Sequence, residues 1–231
     1  MHFNLNINSA KDELIFKPDS ALVKFFVDSE KLERVVDEFF LSLNFPLGKI
    51  QKKNFLDKKS NELEYYSQTD EPSVIHVKKI KLDKDFSVDF FRNYFAGLIP
   101  SFKKKNIKTV HVVVPSFGDF KNHFETELKF LQTMLEGIHL GNYTFDNYKS
   151  DKQKPEELSF LIHYTDQKIL KTAIENSNKL MSAVFFARDL VNEPAITLTP
   201  AELANRTKKE LTKLGVKVTV FNKAELKKRN M

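Results

Sequence analysis

Short strand-like segments alternate with amphipathic helical ones along the first two thirds of this chain. That alternation restricts the fold more than any single residue does. Phe3–Ile7, Glu13–Lys17, Ala21–Phe26, Leu63–Tyr66, Val74–Ile80, Thr109–Val114 and Leu158–His163 alternate apolar with polar residues or form short β-branched runs bounded by turn residues. Three stretches between them place apolar residues at helical spacing. These are Leu32, Val35, Val36, Phe39, Phe40 and Leu43; then Val88, Phe91, Tyr94, Phe95 and Leu98; then Phe124, Leu128, Leu131, Leu135 and Ile138. Such alternation packs as helices layered on a sheet, so the expected class is α/β with a mixed sheet. Thr109–Val114 is the most apolar strand and should lie centrally. Gly141–Pro155 is polar and aromatic and reads as a long loop.

The last third has a different texture. A helical pattern from about Asp166 to Val191, with Ile169, Ala173, Leu180, Val184 and Val191 as its inner face, reads as a linker helix. Glu193 precedes Pro194, which pushes it out of the α region and ends that helix. Thr199, Pro200 and Glu202 then supply a cap, a first helical residue and a capping-box acid. Leu203 and Leu211 share one face, Gly215 offers a stop, and Val216–Phe221 alternates like a strand. Two helical pieces and one strand cannot bury a core alone. Thr197–Met231 is therefore expected to be an incomplete domain.

Composition serves mostly to exclude. There is no cysteine, so disulfides, thiol catalysis and thiolate metal sites are out. The absence of cysteine also fits a cytoplasmic setting. Twenty-two phenylalanines, no tryptophan and six glycines suggest an AT-rich coding bias more than a function. The N-terminus lacks the basic start and apolar run of a signal peptide, and no stretch approaches a membrane span. The net charge of +6 could attract nucleic acid, although solvated lysines account for most such surpluses. The clusters Lys103–Lys105 and Lys227–Arg229 sit near helix ends, where cations are favoured.

No catalytic constellation emerges. The histidines His2, His76, His111, His123, His139 and His163 never adopt H-E-x-x-H spacing, and those in strand patterns read as structural. G-x-S-x-G, Walker A and dinucleotide glycine patterns are missing. Pro115-Ser116-Phe117-Gly118-Asp119 follows the best strand and could line a cleft, but the preferred reading is a plain strand-to-helix loop with Asp119 near the N-terminus of the next helix.

Two stretches carry a resemblance to a known family. Ala187-Arg188-Asp189-Leu190-Val191-Asn192-Glu193-Pro194, followed by Leu198-Thr199-Pro200, resembles the junction where the leucyl aminopeptidase (cytosol aminopeptidase) family enters its catalytic domain. Upstream, Glu136-Gly137, then Leu140-Gly141-Asn142-Tyr143-Thr144-Phe145, then Tyr148-Lys149-Ser150 resembles the family's E-G, L-G-x-Y-x-F and Y-K-S series. Ile196 departs from the asparagine common at its position. The resemblance implies an N-terminal macro-like α/β domain over residues 1–164, a linker helix over 165–192 and the incomplete start of a catalytic domain over 193–231.

It further implies a cytoplasmic homohexamer that removes N-terminal amino acids from peptides with two divalent metals, zinc or manganese. The family holds those metals in motifs like V-G-K-G-x-x-x-D-S-G-G and N-T-D-A-E-G-R, which do not occur here. No catalytic, cofactor-binding or metal-ligating residue is therefore assigned to this chain, which is expected to be inactive alone. Asn192, Pro194 and Pro200 are given structural roles. The alternatives are a stand-alone macro-like module for DNA or nucleotide, or a catalytically dead subunit of an aminopeptidase hexamer. Steep salt dependence would mark the DNA version, and the scarcity of glycine weighs against the nucleotide one.

Overall fold

The strand Ser20–Val27 is the one around which the rest is arranged. In the computed structural model, which describes residues 5–10, 14, 16–45, 47–57, 60–66, 73–150 and 157–231, it is preceded by β1 (Leu5–Ser9) and becomes β2. Then come α1 (Leu32–Ser42), α2 (Lys49–Leu56), β3 (Glu62–Tyr66), β4 (Val74–Ile80), α3 (Asp89–Lys104) and β5 (Thr109–Val113). A short 3-10 turn at Phe117–Phe120, α4 (Glu127–Asn142), β6 (Leu158–His163), α5 (Gln167–Asn192), α6 (Pro200–Lys213) and α7 (Lys223–Lys228) complete the order. The six strands form one sheet in the order β1-β6-β5-β2-β4-β3. Every neighbouring pair is parallel except β3 with β4. The α/β class with a mixed sheet is as expected, and β5 occupies an interior position.

Strand periodicity sends β2 to both faces. Ala21, Val23 and Phe25 join a core built with α3, α4 and the start of α5, while Leu22 and Phe26 join a second core with α1 and α2. The result is three layers, helix on sheet on helix. Seven phenylalanines are fully buried: Phe55, Phe91, Phe95, Phe102, Phe120, Phe130 and Phe160. Burial of such a side chain stabilises by about 1.5–3 kcal/mol, so Phe is the chief apolar material of this fold. Phe130 alone meets Phe91, Phe120 and Phe124 at centroid distances of 5.0–5.4 Å.

The chain divides into two compact units, Met1–Met181 and Ser182–Met231, with the boundary inside α5. The second unit holds the end of α5, α6 and α7, and neither α6 nor α7 has a buried residue. Its local signals work as read. Thr199 Oγ accepts from the Glu202 N–H and Pro200 is the first helical residue. Gly215 takes φ +77°, and the bonds Val216 N–H to Leu211 O and Gly215 N–H to Thr212 O form a Schellman stop. Glu202 does not close a capping box; its carboxylate turns to Arg206 Nε at 2.7 Å.

Several expectations need correction. Val216–Phe221 is not a strand: among the described residues no strand pairs with it to take its backbone groups. The inner face of α5 runs through Leu170, Ala173, Ser177, Met181 and Phe185, whereas Leu180 and Val191 are exposed. Gly141 lies inside α4, not in a loop. Within Glu13–Lys17, Glu13 and Ile15 lie outside the described residues, and Leu14, Phe16 and Lys17 belong to no strand. The reason is visible at Lys17: its N–H and carbonyl are both engaged by Ser20, closing a turn through Pro18 and Asp19. Phe3 also lies outside the described residues. The helix α2 was not expected; only its Phe55 is buried, so its sequence carries almost no periodic signal.

Candidate functional site

β2 and β5 lie side by side, and their connections leave in opposite directions, β2 toward β4 and β5 toward β6. In parallel sheets this switch point opens a crevice at the carboxyl ends of the strands. A cleft of about 260 Å³ occupies that place, lined by the end of β2, the start of α1 and the loop after β5. The loop Pro115–Asp119 does line a cleft. Its Ser116 hydroxyl accepts from the Gly118 N–H and holds the 3-10 turn, which presents Asp119 at the rim. Lys24 enters from β2. Its ammonium sits over the rings of Phe26 and Phe39 at 5.7 and 5.8 Å, and burial lowers its pKa. No carboxylate pairs with it among the described residues.

Among the described residues the histidines pack in separate places, save for one pair. His111 Nδ1 lies 3.0 Å from His163 Nε2 on the sheet face that also bears Phe16, and the two rings stack. Burial, then the neighbouring His163, pushes the His111 pKa down to about 4, so one neutral ring donates to the other. His76 packs edge-on to Phe102, with Nε2 2.8 Å from Glu64 Oε2. His139 is buried on α4, His123 packs on Phe86, and His2 is outside the described residues. Among the described residues no group of three or more His, Asp or Glu side chains is placed to hold a metal ion.

The motif residues instead form helix junctions. Gly137 and Gly141 face the backbone of α3. A β-carbon on Gly137 would stand 2.5 Å from the Arg92 carbonyl oxygen, and one on Gly141 would stand 2.7 Å from both Ala96 Cα and its carbonyl oxygen. Pro100 removes the N–H that would otherwise bond the Ala96 carbonyl. Beside this crossing the Arg92 guanidinium donates to Glu136 Oε2 through Nη2 at 2.6 Å and Nε at 3.0 Å, and Glu136 is buried. The E-G-x-x-x-G pattern is thus a close helix crossing with an ion pair at its edge.

The second motif is held in the same manner. Glu193, its side chain 6% exposed, receives Arg206 Nη1 at 3.1 Å, and Thr197 and Leu198 N–H groups bond the Pro194 carbonyl. Ile196, the departure from the common pattern, is 89% exposed here.

The stretch that builds the first of these two junctions matches a known family. The profile of the cytosol aminopeptidase family N-terminal domain matches residues 79–152, the stretch that builds β4's end, α3, β5 and α4. Over those residues the chain matches the N-terminal domain of the cytosol aminopeptidase family. The "Probable cytosol aminopeptidase" of Treponema denticola is 27% identical over 184 residues, covering 78% of this chain and 37% of that protein. The protein of the same name from Sulfurihydrogenibium sp. is 26% identical over 234 residues, covering 98% of this chain and 45% of that one. A mutant of tomato leucine aminopeptidase matches in fold, with a TM-score of 0.74 at 16% identity over 98% of this chain and 46% of its own. The chain therefore spans less than half the length of these cytosol aminopeptidases. Among the described residues no helix is long and apolar enough to cross a membrane.

Proposed function

We propose that this chain is the N-terminal, non-catalytic part of a cytoplasmic di-metal aminopeptidase, serving assembly and access to the active site. The observation that carries the reading is the pairing of both family junctions in their proper order. The Gly137–Gly141 crossing in the first unit is followed by the Glu193–Arg206 turn in the second. The share of the relatives' length that it spans supports the same reading. The two metals would activate water and polarise the scissile carbonyl in the part of the protein that follows. This chain's residues would hold no metal. Their work is to fold the first unit, end α5 at Pro194 and start α6 at Thr199, so that the following segment enters its domain in a set direction. The exposed, alternating Val216–Phe221 would acquire strand partners only there.

The test has two parts. The purified 231-residue chain is assayed on leucyl amides with manganese or zinc, and the mass of the native protein is measured in its source cells. No turnover and a native mass about twice 26.9 kDa are expected. Metal-dependent turnover by the chain itself overturns the reading.

A further inference from the structure

We propose that the switch-point cleft binds a small apolar α-amino acid in its zwitterionic form. Lys24 and Asp119 line one cleft, yet neither pairs with the other or with any other charged side chain among the described residues. A desolvated ammonium without a counter-ion is costly, and the two aromatic faces below it compensate only in part. The fit for Lys24 is a carboxylate. The fit for Asp119, which lines the same cleft from the loop after β5, is an ammonium. One molecule that brings both groups, held apart by a single carbon, is an amino acid.

The walls set the side chain. Phe26, Leu32 and Val35 line the cleft with apolar side chains, and Val35 is 38% exposed on α1. The Ser29 and Ser116 hydroxyls border the same space. Size sets the class. The cleft's volume of about 260 Å³ lies just under the range of roughly 300–1,000 Å³ for drug-sized ligands and accommodates a ligand of amino-acid size. The scarcity of glycine points the same way, because the loop after β5 has only Gly118 and cannot wrap a pyrophosphate. The inference stands on the cleft alone and does not need the aminopeptidase reading.

Isothermal titration of the full chain with L-leucine tests it, beside 4-methylpentanoate, which lacks the ammonium, 3-methylbutylamine, which lacks the carboxylate, and glycine, which lacks the side chain. Saturable one-to-one binding of leucine at about millimolar affinity or better is expected, with each partial ligand weaker by at least about tenfold. Lys24→Met keeps the stem over the rings and should remove the preference for leucine over the amine. Asp119→Asn, at an exposed position, should remove the preference over the carboxylate. Unchanged thermal midpoints show that both variants fold. No saturable binding of leucine, or binding that both variants leave intact, overturns the proposal. Catalytic inactivity of the chain affects it in neither direction.

Discussion

The two units obey the same local rules and differ in what they bury. In the first, seven phenylalanines lie fully inside and helices cover the sheet. In the second, α6 and α7 are well capped, yet Leu203, Leu214, Val216 and Phe221 are exposed. Caps and stops are contacts between near neighbours, so they form wherever their residues occur. Burial and strand pairing need distant partners, and among the described residues α6, α7 and the segment Val216–Phe221 have no strand to pair with and no buried residue of their own. The comparison separates what a segment determines from what a domain supplies.

The largest expected contrast is in amide exchange. Val110 and Val112 in β5 should exchange only on global unfolding, at a free energy of about 5–15 kcal/mol for a domain of ordinary stability. Amides 217–221 should exchange at nearly unprotected rates. Protection of those residues comparable to β5 would mean that the segment finds strand partners unaided, and the contrast would collapse.

Core truncation comes next. Phe130→Ala should cost about 3–5 kcal/mol in urea unfolding, because its neighbours Phe91, Phe120 and Phe124 are too interlocked to fill the void. Leu203→Ala, 41% exposed on α6, should stay within about 0.5 kcal/mol. Equal costs would mean that the second unit carries a core of its own.

Glycine sharpens the comparison inside the first unit. Gly137→Ala drives a methyl group to 2.5 Å from a backbone oxygen that cannot retreat, and should cost about 3 kcal/mol, the upper end for overpacking. Gly97 sits on the exposed side of α3 with open space around it, so Gly97→Ala should stabilise by about 0.5–1 kcal/mol. A neutral Gly137→Ala would deny that the family's first motif is a packing device.

The same contrast explains what could be read from the sequence. Thr199, Pro200 and Gly215 were legible because each acts within a few residues. Val216–Phe221 reads as a strand and is none, because alternation reports the capacity to pair, and pairing requires a neighbour. The face of α5 was misplaced because Ser177, a polar residue, occupies a core position and shifts the apparent stripe toward Leu180. Lys79 is buried with its ammonium on the Phe55 carbonyl at 2.5 Å, an arrangement no local pattern announces. In the cleft, the loop Pro115–Asp119 was visible as a candidate, but Lys24 was not. The two meet only because β5 lies beside β2, which is a property of the strand order. The motif glycines were recognised by resemblance, while their physical role needed α3 in place.

Acid should separate the units as well. All six histidines precede the second unit. His111 titrates near 4 when folded, from 6.5 when free, and His76, His139 and His163 are also lowered by burial. Between those values the unfolded chain binds more protons, so stability present above pH 6.5 is lost as pH falls toward 4. The urea midpoint of the first unit should drop from pH 7.5 to pH 5, and His111→Leu should flatten the slope. Helicity of α6 should not follow it. A first unit indifferent to pH over this window would show that the paired rings stay solvated.

The smallest effect tests the rule that the units share. Asn44, Asn106 and Asn230 take φ of 54–56° and close Schellman stops on α1, α3 and α7, as Gly215 does on α6. Three of the four therefore place asparagine where glycine is unstrained. Asn106→Gly should stabilise the first unit by about 0.5 kcal/mol, the relief of a left-handed residue less the added freedom of the unfolded chain. Gly215→Asn should be tolerated with a loss of similar size, read as faster exchange of the Val216 amide that bonds Leu211. Both signs follow from one backbone geometry. If Asn106→Gly instead destabilises, the side chain at that position holds more than the turn, and the stops of the two units are not equivalent.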